Sequence, residues 1–201
     1  MLPAGSGLYV NIFAYNKLLD HGQQAFGTRR HAMDNPEYSL SATRLELANR
    51  LFFRLYQCAN MLHKTGSRAV EDEGLTTQQW AVLGALSREQ ASAGMSIGEL
   101  ARYLMVSRQN LSGLIGRMER DGHVAVGADD RDRRSRRVTM TDSGRHVWQV
   151  LAQPKIRAYY ARILADFSTN DLTHTLHYLL KMLDNMQRLD AEHGKTDDDG
   201  G

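Results

Sequence analysis

A chain of 201 residues, 42% apolar and 24% charged, is long enough for one domain with a buried core and has an ordinary globular composition. Its single cysteine, Cys58, excludes an intramolecular disulfide framework. No apolar run approaches the roughly 20 residues that a bilayer crossing needs, and the opening residues lack a basic segment before a continuous apolar core, so a soluble, cytoplasmic protein with no membrane partner is expected. The formal net charge of +2 hides an uneven distribution: from Arg102 to Arg137 nine arginines face five acids, as expected where one face meets a polyanion.

Residues 1–43 contain several glycines and one short apolar patch, "YVNIFAYNKLL", and are expected to form an N-terminal arm with room for one short helix. A helix is predicted over 44–66, where Leu47, Leu51, Leu55, Cys58 and Leu62 recur at steps of four, four, three and four. "TTQQW" then offers Thr76 as N-cap with Gln79 three residues on, a capping box that opens a helix through Trp80, Leu83 and Leu86. A second box, Ser96 with Glu99, starts a short helix from Ile97 to Leu104. "MVS" turns the chain, and Ser107 caps "RQNLSGLIGRMERDG", whose buried stripe is Leu111, Leu114, Ile115 and Met118 and whose stop is Gly122. Gly113 and Gly116, costly in a helix, are read as places where a neighbouring helix comes close.

Val124 with Val126, and Val138 with Met140, alternate as two strands of period two, joined by "ADDRDRRS". The arginines therefore sit at the tip of a β-hairpin that follows two helices joined by a tight turn. That order is a winged helix-turn-helix, here assigned to residues 74–141. Thr141 caps a further helix running to about Ala165 and kinked at Pro154, and Ser168 with Asp171 opens a last one. In that last helix Leu172, Leu176, Leu179, Leu183 and Met186 form a coiled-coil-like seam, read as an interface with a second chain. The tail, 191–201, is expected to be disordered.

The second helix of such a motif enters the major groove with its N-terminal residues at base edges. Those residues are Ser107, Arg108, Gln109, Asn110 and Ser112, with Arg117 further along. Arg grips guanine with two hydrogen bonds, and Gln or Asn does the same at adenine. A hairpin beside that helix reaches the adjacent minor groove, where a narrow A·T-rich segment attracts arginine. Arg134, or Arg133, is expected to enter it, with Asp132 holding a guanidinium extended and Arg136 and Arg137 facing phosphates.

From "LTTQQWAVLGAL" through "SIGELARYLMVSRQNLSGLIGRMERDGHV" to "DDRDRRSRRVTMTDSGR", the sequence resembles the multiple-antibiotic-resistance (MarR) family of bacterial regulators. Asp132-Arg133-Arg134 followed by Val138 and "MTDSG" is its most specific part. The chain departs from the pattern in its longer N-terminal arm and in Val126-Gly127, where the first wing strand often carries an arginine. The resemblance implies a mainly α fold with a small β-hairpin wing, flanked by a first dimerisation helix (44–66) and C-terminal dimerisation helices (142–190). It also implies a homodimer on a near-palindromic double-stranded operator, acting as a repressor that a small aromatic effector releases. By the same resemblance the effector pocket lies between the first long helix, the "TTQQW" helix and the dimerisation helices. Phe52, Tyr56, His63 and Trp80 are candidate lining residues for an aromatic acid or thioester, with Arg54 as carboxylate partner.

Two alternatives keep the fold and change the signal. Cys58 would sense oxidants, but its place on the Leu51–Leu55–Leu62 stripe predicts a buried, inert thiol. Asp171, His174 and His177, at steps of three, would share a metal, but they also flank the leucine seam as ordinary polar neighbours. No metal site and no cofactor are assigned. The absence of GxSxG, Walker A, GxGxxG and HExxH patterns leaves no catalytic residue to name, so an enzyme is not expected.

Overall fold

A computed structural model describes residues 41–128 and 136–196. The chain divides into two units, Met1–Arg50 and Leu51–Gly201. Of the first, the described part is the leading stretch of helix α1 (Ala42–Ala69), exposed almost throughout. The expected N-terminal arm lies outside the described residues up to residue 40, and α1 is longer at both ends than the predicted 44–66.

The second unit is built around a winged helix-turn-helix. A 3-10 turn (Glu71–Glu73) leads through Gly74 into α2 (Thr77–Leu86). Thr76 and Gln79 form the predicted capping box: the Gln79 amide donates to Thr76 Oγ1 at 3.3 Å and the Thr76 amide to Gln79 Oε1 at 2.8 Å. A two-residue strand, β1 (Met95–Ser96), precedes α3 (Ile97–Leu104), whose box runs from the Glu99 amide to Ser96 Oγ and from the Ser96 amide to Glu99 Oε2. α4 (Arg108–Arg120) follows, then β2 (Val124–Ala128) and β3 (Arg136–Met140).

The strands form one antiparallel sheet in the order β1-β3-β2. Val126 pairs with Val138, Val124 with Met140, and Met95 with Val138 from the other side. The alternation read from the sequence is present: Val124, Val138 and Met140 are buried while Ala125 and Thr139 are exposed. β1 was not expected, because two residues are too short to show a period.

The core lies among α2, α3, α4 and the sheet and is filled by Val82, Leu83, Leu100, Leu111, Ile115, Met118 and Val138. Trp148 and Ile156 close it from the next helical stretch. That stretch begins with α5 (Asp142–His146), capped by Thr141 through the Gly144 amide at 2.9 Å. Gly144 has no room for a side chain, since a Cβ there would stand 2.0 Å from the His123 carbonyl oxygen.

Where a kink at Pro154 was expected, the helix passes through a π-helical segment, Val147–Ala152, ahead of α6 (Gln153–Ile163). Proline cannot donate to the ladder and crowds the turn before it. The ladder widens to accommodate this: the Gln153 amide reaches back five residues to the Trp148 carbonyl.

The last helix, α7 (Thr169–Thr196), continues past residue 190, so the expected tail is helical up to Thr196. Ala191, Glu192 and Lys195 favour helix there, against the single Gly194. Leu172, Leu176, Leu179, Leu183 and Met186 are all exposed on it. Cys58 corrects an expectation in the same way. It is exposed, as are Leu51 and Leu62, because the apolar stripe of α1 is not covered by this chain's own core.

Candidate nucleic-acid interface

α4 has two faces. Leu111, Leu114, Ile115 and Met118 lock one into the core, while Arg108, Gln109, Asn110, Ser112, Gly113 and Arg117 are exposed on the other. The helix enters from a turn in which Met105 takes a left-handed conformation (φ 54°) and its amide closes α3 onto Ala101 and Arg102. Ser107 then caps α4, accepting from the Asn110 amide at 3.2 Å. The Ser112 hydroxyl donates to the Arg108 carbonyl at 2.8 Å, so its proton serves the helix rather than a base. Of the predicted readers, Arg108, Gln109, Asn110 and Arg117 remain as long polar groups on one open face.

Among the described residues no neighbouring helix meets the glycines of α4: a Cβ at Gly113 would meet only the Arg117 guanidinium and one at Gly116 only that of Arg120, both at 3.9 Å. These positions form a low strip over which the arginines of the next turn lie. The close approach instead occurs at Gly66, where a Cβ would be 2.6 Å from Thr77 Cγ2. Arg108 lies along α3, its guanidinium 3.4 Å from where a Cβ on Gly98 would stand.

The wing strands leave the core beside α4. Asp132, Arg133 and Arg134 lie outside the described residues. Arg136, at the start of β3, is exposed as a phosphate contact requires. Arg137 is not so placed: its Nη1 donates to the Gly94 carbonyl at 2.6 Å and lies 3.9 Å from Glu99 Oε2, tying β3 to the segment before α3. Glu99 is held below the usual carboxylate range by its hydrogen bonds from Ser96, with Arg137 and Arg102 adding charge attraction. A second tie escaped the sequence reading. Glu119 Oε1 accepts from the Val126 amide at 3.0 Å, joining α4 to the outer wing strand. Glu119 sits seven residues before Val126, a spacing that marks no known motif.

The contacts of the expected effector residues run to other side chains. His63 Nδ1 is 2.7 Å from Thr77 Oγ1, and Trp80 stands edge-on to Tyr159 and Tyr160 at 6.1 and 5.9 Å. Burial and the neighbouring Tyr159 raise the Tyr160 phenol. Arg54 donates to Gln57 Oε1 at 2.8 Å, and Phe52 is exposed. Near these lies a groove of about 1130 Å³ between α1 and α6, with Leu55, Leu62, Tyr159 and Ile163 on its walls and three cations, Arg68, Lys155 and Arg162, among its lining. None of Phe52, Arg54, Tyr56, His63 and Trp80 lines it. A step of one residue turns a side chain by about 100° around a helix, so Leu55 and Leu62 face the groove while Tyr56 and His63 face elsewhere. Tyr159, hydrogen-bonded to Thr65 at 2.8 Å, links the groove to Trp80.

Among the described residues no cluster of three His, Cys, Asp or Glu side chains is placed to hold a metal. Asp171 caps α7, accepting from the Ser168 amide at 2.9 Å, while His174 and His177 lie beside Tyr178. Cys58 lines the groove. No helix among the described residues is long and apolar enough to cross a membrane.

The MarR family model matches residues 73–135, the span from the end of the 3-10 turn to just before β3. The chain is 77% identical over 162 residues to the transcriptional activatory protein BadR of Rhodopseudomonas palustris, covering 81% of this chain and 90% of that one. It is 31% identical to the homoprotocatechuate degradative operon repressor of Escherichia coli, over 55% of this chain and 72% of the relative. Its fold is similar to that of the Mycobacterium tuberculosis regulator MosR in complex with DNA, with 27% identity, a TM-score of 0.56, and coverage of 67% of this chain and 96% of that one. With a two-faced helix, a wing and a close relative that spans most of its length, the chain belongs to the MarR family of transcriptional regulators.

Proposed function

We propose that the chain is a homodimeric, sequence-specific binder of duplex DNA whose grip responds to a small aromatic carboxylate or its thioester. The observation that carries this reading is the exposed row Arg108, Gln109, Asn110 and Arg117 on a helix whose other face is fixed in the core. Such a row, presented by a rigid element, suits base edges in a major groove. Arg133 and Arg134 at the wing tip, supported by Asp132, would enter the flanking minor groove, and Arg136 would meet a phosphate. The exposed leucines of α7 supply the surface for a second copy. Two such helices about 34 Å apart would read a near-palindrome.

The groove beside α6 supports the effector reading, with apolar walls for a ring and cations for a carboxylate. Its volume exceeds what one small ring fills, so part of it is assigned to the partner chain. The relative named for homoprotocatechuate degradation is consistent with an aromatic acid.

The direction of control has two readings. That relative is named a repressor, which agrees with release by an effector; the 77% identical relative is named an activatory protein. The higher identity favours activation, and one DNA-bound dimer serves either role according to where its site lies relative to the promoter. Selection of genomic fragments, followed by reporter assays on the promoters recovered, tests both parts. Recovery of fragments sharing a near-palindrome is expected. Fragments bound no better than scrambled duplex would overturn the DNA reading.

A further inference from the structure

We propose that Lys155 is an exchange cation, which the fold gives to Asp72 and Glu73 and which a carboxylate entering the α1–α6 groove draws away. The inference rests on the groove being the effector site and adds how occupancy is felt by the DNA-binding region. Lys155 belongs to two settings at once. It lines the groove, and its Nζ lies 2.7 Å from Asp72 Oδ2 and 2.7 Å from Glu73 Oε1. An ammonium on a flexible four-carbon stem, with three donors, suits a group that changes partners.

The two acids differ in what losing Lys155 would cost them. Asp72 keeps 79% of its side chain exposed, so water replaces the ammonium. Glu73 keeps 7%, and its second oxygen, Oε2, is buried without a hydrogen-bond partner among the described residues. A carboxylate left there alone is strongly unfavourable, because a buried charge without its counter-ion has neither solvent nor partner. The relief is for the 3-10 turn Glu71–Glu73 to carry Glu73 towards water. That turn packs against the π-helical segment and continues through Gly74 to the cap of α2. α2 in turn packs against α4 and β3, the elements that face DNA. A ligand that binds the two turn positions unequally thereby binds two DNA-binding states unequally, as control requires.

Calorimetric titration with phenylacetate and with its neutral isostere phenylacetamide tests this on the full-length protein. Wild type is expected to prefer phenylacetate. Glu73→Gln, which removes the competing charge and keeps the shape, should bind phenylacetate about fivefold more tightly and phenylacetamide no differently. Asp72→Asn should change phenylacetate binding less than twofold. Lys155→Met should lose the preference at least tenfold. Should Lys155→Met unfold because Glu73 is left unpaired, the Lys155→Met/Glu73→Gln double variant, with no orphaned charge, should fold and lose the preference. DNA affinity of ligand-free Glu73→Gln should shift in the direction that phenylacetate shifts wild type. Phenylacetate bound equally by wild type, Glu73→Gln and the lysine variants would overturn the exchange while leaving the groove as a ligand site. Wild type that binds neither probe would overturn the groove reading, and the exchange with it.

Discussion

The winged helix-turn-helix and the long flanking helices carry the same apolar periodicity and put it to opposite use. Leu83, Leu100, Leu111, Ile115, Met118 and Val138 are each less than 2% exposed. Leu176, Leu179 and Leu183 on α7, spaced as regularly, stand 58%, 41% and 39% exposed. The first region fills its interior with its own residues. The second presents a seam that the described residues leave exposed, and a stripe of that kind is stable in water when another apolar surface covers it. Periodicity thus shows which face is apolar and is silent on whose apolar face it meets.

The largest effects should separate these two regions. Leu100→Ala removes a fully buried side chain and should cost about 2–5 kcal/mol in urea unfolding, at any protein concentration. Leu176→Ala with Leu183→Ala should cost stability only through association, so that their effect on Tm shrinks as protein concentration rises. A concentration-independent loss would place α7 on its own chain's core and erase the contrast.

Gly144→Ala comes next. The new methyl would meet the His123 carbonyl, a backbone atom with little freedom, and about 3 kcal/mol of destabilisation is expected in the same unfolding assay. On the DNA face, Arg108→Ala should cost about 1–3 kcal/mol on the preferred duplex and relax the choice of sequence. Glu119→Ala, which frees the outer wing strand from α4, should cost about 1 kcal/mol of affinity with no change in sequence preference.

The smallest effect is in acid. Glu99 is lowered from its ordinary value near 4.5 by its hydrogen bonds from Ser96. Its contribution is therefore complete above that value and is lost as pH falls through the lowered one. Glu99→Gln should flatten the fall in Tm as pH drops below about 4.5, as followed by circular dichroism.

Much of the DNA-binding region was legible because its signals are local. The caps at Thr76, Ser96, Ser107 and Thr141, the stripe of α4 and the two alternating strands each need only a few neighbouring residues, and all are present. What was missed depends on distant partners. Glu119 reaches Val126 across the end of α4, and Arg137 turns inward because Gly94, 43 residues earlier, lies beside β3. Cys58 was read as buried because its stripe is apolar, whereas the cover that would bury it is not in this chain's core. Gly113 and Gly116 were read as contacts although their surroundings are open. The groove takes Leu55 and Leu62 rather than Tyr56 and His63, a choice of helix face that α6 makes from 90 or more residues away.

The central claim is that the open face of α4 reads bases. Titration of wild type and Arg108→Ala against a selected genomic duplex and a scrambled duplex of the same length, at fixed salt, tests it most directly. The account predicts that the variant loses at least fivefold on the selected duplex and changes little on the scrambled one. An equal loss on both would make Arg108 a backbone contact, and no loss on either would remove α4 from the interface.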